Sequence, residues 1–401
     1  MTPVVCLDEE SKRQSGFYVP QFEIRIEGMG LPRDVLRDVV QITYKDSIKE
    51  IDSFELTVNN WDPSSNDFKY VGSETLRSLE GNTPENRRYR LFEPCYKEVE
   101  VRMGYVGHLR VMLTGNFTTM EPTFPSSGPP TLTVRGLNIL HKFRRKQNTR
   151  TWRDKTDSQI VKSLESDFPI PIEIDTNARR EEPPLEFLAQ RSQYDIDFIL
   201  ARARERGYVV FIQEADPHVR GSQRRLYFGP SQSRTSPGLR DVTFELEWGK
   251  SLIDFKPTLT TANQINSVTV KGWHRSKRRS ITATVTLDHR KLNRNRDLYV
   301  LLKKCDPREE VVVDEPVFTR RQARERACAI LMDRQKEMVK ASGTTVGLPD
   351  LRAGKQIRIK GIGARLSGTY FVMETTHTIS DSGYLTRFMA RREDEGEEKR
   401  S

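Results

Sequence analysis

Six histidines are the first residues to test for chemistry, and their spacing does not support it. His108, His141, His218, His274, His289 and His377 are scattered, with no HxxxH or HExxH pair that would present two rings on one helix face. Four cysteines (Cys6, Cys95, Cys305 and Cys328) lie far apart, without CxxC or zinc-type Cys/His spacing. They read as free thiols. There is no GxSxG, no P-loop and no GxGxxG after a strand. Gly361-Ile-Gly363 is too short for phosphate binding and reads as a strand turn. The residues therefore predict no catalytic, cofactor-binding or metal-binding set.

Two carboxylates, Glu121 and Glu374, invite a glycosidase comparison because an internal repeat pairs them. Gly115–Thr133 overlays Gly368–Thr386 at a constant offset, with seven of nineteen positions identical. Gly115/Gly368, Met120/Met373, Glu121/Glu374 and Leu132/Leu385 are among them, and Phe117/Tyr370 is conservative. Average composition gives roughly one chance identity over such a window. Acid–base work needs the two carboxyl groups within several ångström, so separate structural roles, such as pairing with a neighbouring Arg or amide, are expected. His377 overlays Phe124, and a place that takes either ring reads as packing or surface.

The elements that position these residues are mainly strands. Gln356–Ile362, Thr369–Glu374 and Tyr384–Ala390 alternate with period two between glycine-bearing turns, an antiparallel meander. Phe22–Gly28, Val40–Thr43, Ser53–Val58, Val99–Gly104, Val111–Leu113, Phe117–Glu121 and Leu132–Arg135 read likewise. Ser64–Pro94 is loop-like, with a short helix at Thr75–Leu79. After Gly136 the pattern becomes α+β: a helix over Asp157–Phe168 with Asp157 as N-cap, then two short helices within Pro183–Gly207. A strong helix spans Arg320–Lys340. The fold class is mainly β (α+β): two homologous β-barrel, tube-type domains flanking an inserted small α+β domain. The boundaries are an arm 1–20, a first barrel 21–145, an insert 146–240, a second barrel 241–395 carrying helix 320–340, and a charged tail 396–401.

The chain has 401 residues, 35% hydrophobic and 30% charged, with net charge +10. No apolar run approaches the roughly 20 residues that span a bilayer. The N-terminus lacks a basic region followed by an apolar one, so synthesis in the cytoplasm is expected. Basic residues gather at Lys142–Arg153, Arg220–Arg225, Lys271–Arg279 and Arg290–Arg296. Aromatic residues are not interleaved as a stacking platform needs, so specific nucleic-acid binding is not the expected job.

Two segments resemble the baseplate hub proteins of contractile phage tails and injection systems, the phage late-control D family, which is related to the N-terminal hub part of the type VI secretion spike. The first is Tyr194–Tyr208, with Asp197, Phe198, Gly207 and Tyr208. The second is Gly347–Arg392, with Gly347, Pro349, Gly354, Gly361, Gly368, Tyr370, Glu374, His377, Gly383 and Tyr384; Gly115 and Glu121 are added by the repeat. The loop Gly72–Pro94 and the basic stretch Lys271–Arg296 depart from that pattern.

The resemblance implies a structural, non-enzymatic homotrimer in which two barrels per chain make a pseudo-six-fold ring. Such a ring joins a hexameric inner tail tube to a trimeric spike, touches baseplate wedge and tape-measure proteins, and is incorporated into a phage-tail-like particle or virion. No cofactor is implied. The rival readings are a cell-wall-degrading hub enzyme and a basic nucleic-acid-binding regulator.

Overall fold

The computed structural model describes residues 4–6, 19–81, 83–95, 97–168, 170–176, 182–215, 221–231, 243–274, 277–286, 308–313, 317–363 and 365–392. Most of the arm 1–20, the basic run Arg290–Arg296 and the tail 396–401 lie outside the described residues.

The fold is mainly β. Strands β1 (Val4–Cys6), β2 (Pro20–Ile26), β3 (Met29–Gly30), β4 (Val39–Ser47) and β5 (Ser53–Asn59) come first, with helix α1 (Arg33–Asp38) before β4. A short hairpin, β6 (Trp61–Asp62) and β7 (Asp67–Phe68), is followed by α2 (Leu76–Glu80) and α3 (Pro84–Tyr89). The stretch expected as loop with one short helix at Thr75–Leu79 thus holds α2 there and a second helix, α3, each capped by a threonine side chain, Thr75 and Thr83. Strands β8 (Glu98–Tyr105), β9 (His108–Thr123) and β10 (Thr131–Asn138) close the first half.

The insert contains β11 (Gln147–Trp152), α4 (Asp157–Ser163), β12 (Ile172–Ile174), β13 (Leu188–Tyr194), α5 (Asp195–Arg206), β14 (Tyr208–Gln213) and β15 (Arg225–Pro230). Where two short helices were expected, β13 pairs with β11 and a single helix follows. The apolar residues there serve a strand first and a helix second. The N-cap of α4 is Thr156, which forms a capping box with Gln159; Asp157 is the first helical residue.

The second half contains β16 (Thr243–Glu247) and β17 (Leu252–Leu259), then a small unit of β18 (Ser267–His274), β19 (Arg279–Thr286), β20 (Glu309–Val312) and α6 (Arg320–Lys336). Strands β21 (Val339–Val346), β22 (Gln356–Lys360), β23 (Gly368–Ser380) and β24 (Gly383–Arg392) complete it. Helix α6 stops at Lys336, because Val339 and its successors join β21. Its stripe Ala323, Ala327 and Leu331 packs with Val268, Val270 and Ile281, so that unit has a core of its own.

Fourteen strands form one sheet. The first half runs β4-β5-β10-β9-β8-β2, and the second runs β17-β21-β24-β23-β22-β16 in matching order. The first is antiparallel throughout, whereas β16 runs parallel to β22 and also takes β1 in parallel. The two halves join where β23 pairs with β4, Ile379 opposite Ile42 through Glu374 opposite Ser47. Both contribute to one hydrophobic core, including Ile24, Ile42, Leu56, Val101, Ile357, Tyr370 and Phe388. Each fully buried Ile or Leu there contributes about 1.5–3 kcal/mol.

The duplication extends to irregular features. A bulge interrupts β4 against β5 at Val40, and another interrupts β17 against β21 at Ile253. A bulge near Arg135 on the β9–β10 ladder matches one near Met389 on the β23–β24 ladder. Cys95 N–H donates to Phe117 O, as Gly354 N–H donates to Val372 O, and both donors have positive φ, +97° and +89°.

These matches correct the residue register read from sequence. The bulges align Thr119 with Glu374, not Glu121 with Glu374. Leu132 is buried while Leu385 is half-buried on the other face. The aligned bulges make Pro122 the counterpart of His377, in place of Phe124.

Candidate functional site

A buried polar cluster lies at the seam between the halves. In β4 the residues Ile42, Tyr44 and Asp46 share the buried face by period-two alternation. Asp46 is thus carried inward beside apolar neighbours. Its carboxylate accepts from Arg352 Nε at 2.8 Å, Ala353 N at 3.1 Å and Thr375 N at 3.2 Å, and from the Thr375 hydroxyl. Arg352 also donates to Met112 O at 2.6 Å and to the Tyr44 hydroxyl, and its guanidinium lies 4.4 Å from the centre of the Tyr44 ring. Burial works against the Arg352 charge, but Tyr44 and Asp46 outweigh it, and its pKa is raised.

His377 is fully buried two residues along β23 from Thr375. Its Nε2 is 3.0 Å from Leu351 O, and a carbonyl can only accept, so Nε2 carries the proton. Nδ1 then accepts, with the Tyr384 hydroxyl at 3.0 Å and the Thr386 hydroxyl at 3.1 Å. Burial lowers the pKa of His377 to about 3, so the ring is neutral at ordinary pH. Such a ring is not poised for proton transfer near neutral pH. It is a buried, hydrogen-bonded residue, whereas Phe124, on which the sequence overlays it, is exposed.

A second carboxylate, Asp52, receives Ser47 N at 3.3 Å and Asn138 Nδ2 at 2.9 Å. Burial, then the Asp46 charge, push it up to about 8. The insert reaches the same junction. Phe211 and Tyr227 pack with Ile48, Ala353 and Phe371. Glu214 accepts from Arg224 at 2.6 Å and from Thr114 N in β9 at 3.4 Å. Three parts of the chain therefore meet around Arg352.

The motif residues singled out in the sequence fall into three groups. Tyr384, His377, Gly347 and Gly354 belong to this junction. Gly347 O accepts from Tyr105 at 2.8 Å, and a Cβ at Gly347 would sit 2.1 Å from the Tyr384 ring. Pro349 lies in the turn after it, between the buried Leu348 and Leu351. Tyr370 is buried nearby, donating to Leu366 O at 2.6 Å, and Gly368 opens β23. Gly361 and Gly383 have positive φ in turns.

In the insert, Phe198 stacks on Trp152 at 5.4 Å, Asp197 pairs with Arg144 at 2.9 Å, and Gly207 ends α5 with φ +70°. Burial and Glu182 raise the pKa of Tyr208. Gly115 is a close approach: a Cβ there would be 1.8 Å from Leu137 O.

Glu121 pairs with Arg135 at 2.7 Å and Glu374 with Lys45 at 3.3 Å. Their strands are separated by β10, β5 and β4, so four strand spacings of roughly 4.8 Å put them on the order of 19 Å apart along the sheet. They do not form a catalytic pair. Among the described residues, no His/Cys/Asp/Glu group could hold a metal ion, and no helix is long and apolar enough to cross a membrane.

Sequence reasoning missed Asp46, Arg352, Tyr44, Thr375 and Asp52. One signal was present: Asp46 sits at the same strand parity as Ile42 and Tyr44, where a charge calls for a buried partner.

A family model described as the Alg8 N-terminal domain matches residues 18–381. No curated protein matches the chain. Several solved structures share the fold. A 43 kDa tail protein of prophage MuSo2 from Shewanella oneidensis is 15% identical, with TM-score 0.64 over 93% of this chain and 98% of that one. A tail protein from Neisseria meningitidis is 13% identical, with TM-score 0.62 over 94% and 97%. An Escherichia coli component of the type VI secretion system is 13% identical, with TM-score 0.53 over 93% and 77%; it is described as structurally similar to T4 bacteriophage tail proteins.

Proposed function

We propose that this chain, which belongs to the Alg8 N-terminal domain family, is a structural hub of a contractile tail or injection-system baseplate. The observation that carries the reading is the duplicated six-strand half, repeated in one chain and locked to its twin through β4 and β23. Three such chains would present six similar halves around one axis. A ring of that kind docks a six-fold inner tube on one side and a three-fold spike on the other. The shared fold with phage tail proteins and a type VI secretion component supports this reading.

The seam suits a rigid joint. Arg352, Asp46, Thr375 and His377 tie both halves together in a buried, hydrogen-bonded cluster, and the insert packs beside it through Phe211 and Tyr227 against Ala353 and Phe371. Its members face each other and backbone groups, which supports reading the hub as a scaffold. The late-control D resemblance, the wedge and tape-measure contacts and incorporation into a virion or tail-like particle belong to the same proposal. Light scattering at several concentrations tests it: a species near three times 46.4 kDa supports the hub, and a compact dimer at every concentration overturns it.

A further inference from the structure

The insert carries a two-stranded ribbon with one exposed face. Strands β11 and β13 pair antiparallel, and the bridge between Lys155 and Leu185 continues their register, so Arg153 falls opposite Phe187. Along β11 the residues Asn148, Arg150 and Trp152 turn inward, while Gln147, Thr149 and Thr151 stay exposed. The inward side is fixed to the insert. Asn148 and Gln190 donate to Asp195 at 2.9 and 2.7 Å, Arg150 pairs with Asp195 and Asp167, and Trp152 stacks on Phe198. The acids beneath the ribbon are thus matched from within.

The outer face is cationic. Arg145, Lys146, Arg153, Lys155 and Arg191 are all exposed, and none has a partner among the described residues. Two exposed carboxylates, Asp154 and Glu186, oppose these five. Arg145 and Lys146 stand at one end and Arg153 and Lys155 at the other, on the order of 20 Å apart at the usual strand rise. Arg191 stands between them at a bulge, where Ser192 has φ +46° and its N–H donates to the Thr149 hydroxyl at 3.2 Å. Gln147, Thr149, Thr151 and Ser192 add uncharged donors between the ends.

We infer that this ribbon binds duplex DNA through its phosphate backbone, without reading sequence. Every polar side chain on the central part of the face can donate, and guanidinium, ammonium, hydroxyl and amide donors are what phosphate oxygens accept. A ribbon of two strands is narrow enough to enter the major groove, roughly 12 Å wide, which brings the cations at its two ends to the phosphates. Release of the counterions held by those phosphates supplies the affinity.

Two other polyanions fit less well. A single strand needs neighbouring aromatic rings to stack its bases, yet the two aromatic residues of this face, Phe187 and Tyr194, lie at opposite ends of the ribbon. An acidic protein surface needs an apolar centre to the patch, and the large exposed apolar side chain here, Phe187 at 48% exposure, is terminal and not central. The ribbon is complete within one insert, so the inference does not depend on the hub reading, and the failure of either is a separate result.

Fluorescence anisotropy of the purified full chain with a short fluorescein-labelled duplex of arbitrary sequence tests this. Five phosphate contacts should make affinity fall on the order of several hundredfold between about 50 and 200 mM salt. Arg153→Ala with Arg191→Ala should weaken binding to every duplex alike and lower the salt slope by about two. Lys146→Ala with Lys155→Ala repeats the test at the two ends and should do the same. Arg33→Ala with Arg37→Ala removes two exposed cations of α1 instead, and should leave affinity and slope as in the wild type. All six positions are exposed, so circular dichroism should show folded proteins. Equal losses in the ribbon and α1 variants would show attraction to net charge alone and overturn the inference. No binding at about 50 mM salt would overturn it too, as would a single strand bound more tightly than the duplex. Polyglutamate bound as tightly as the duplex would overturn it in favour of an acidic protein partner.

Discussion

Arg352 Nε lies 2.8 Å from Asp46 Oδ2, and the two residues are 306 positions apart in sequence. Asp46 belongs to the first half and Arg352 to the turn that precedes β22 in the second. Both are mostly buried, so neither charge has much water to fall back on. The pair is not a large net stabiliser against a well-packed apolar replacement. Its consequence is specificity: β4 can meet β23 in this register with both charges satisfied, and a slip by one residue would turn Asp46 and Tyr44 outward together.

Removing one member should therefore be costly. Arg352→Met leaves the Asp46 carboxylate buried beside Thr375 without its cation, and a loss of about 3–5 kcal/mol is expected. Asp46→Asn combined with Arg352→Met should recover part of that loss, and a double-mutant cycle in urea denaturation reads the coupling directly. Additive losses would show that the two side chains act independently.

Two groups at the seam set opposite pH trends. His377 is held at about 3 against an ordinary 6.5, so the unfolded chain takes up a proton that the folded chain refuses. Its contribution is present above about 6.5 and is lost as pH falls toward 3. Asp52 is raised to about 8 from 3.8, so its contribution is full below 3.8 and is lost as pH rises toward 8. Asp52→Asn should remove that decline across the whole range from 3.8 to about 8, so that stability rises with pH up to about 6.5 and then levels off. Denaturation midpoints from pH 4 to 9 check this, and an Asp52→Asn profile parallel to wild type would contradict it.

Cys95 holds a left-handed backbone, φ +97°, at the place where the second half uses Gly354. A side chain at such a φ costs of order 1–3 kcal/mol. Cys95→Gly should therefore raise stability by about 1 kcal/mol, and Gly354→Ala should lower it by more, because its Cβ would also press on the Phe211 ring at 2.9 Å. Thermal melts of the two variants should move in opposite directions.

The cell-wall reading makes a separate prediction. With Glu121 and Glu374 tied to Arg135 and Lys45 on separated strands, purified protein should release no soluble fragments from peptidoglycan. Release that disappears in Glu121→Gln or Glu374→Gln would overturn the scaffold account.

Much of the fold could be read locally. The alternation in Gln356-Ile-Arg-Ile-Lys360 and in Tyr384–Ala390 gave strands because each needs only its own two faces. The duplication was legible too, but its register was not. A two-residue turn at Asp381–Ser382 replaces the longer loop after Thr123, and bulges absorb single residues, so a gapless overlay drifts. Helix α6 was read too long because Met338 and Val339 continue its apolar stripe while serving the next strand. The seam was the least legible part. Arg352 sits in a polar turn, and its partners Tyr44, Asp46 and Met112 come from strands at least 240 residues away. Local patterning carries no record of such contacts.

Copies of this chain are proposed to form a ring of six similar halves. Single-particle imaging of the purified protein, alone and after cross-linking, tests that most directly. Class averages should show a central opening, six lobes and true three-fold symmetry, the lobes alternating between those that carry the β6–β7 hairpin with Phe124 and those that do not. A compact two-fold particle without an opening would contradict it.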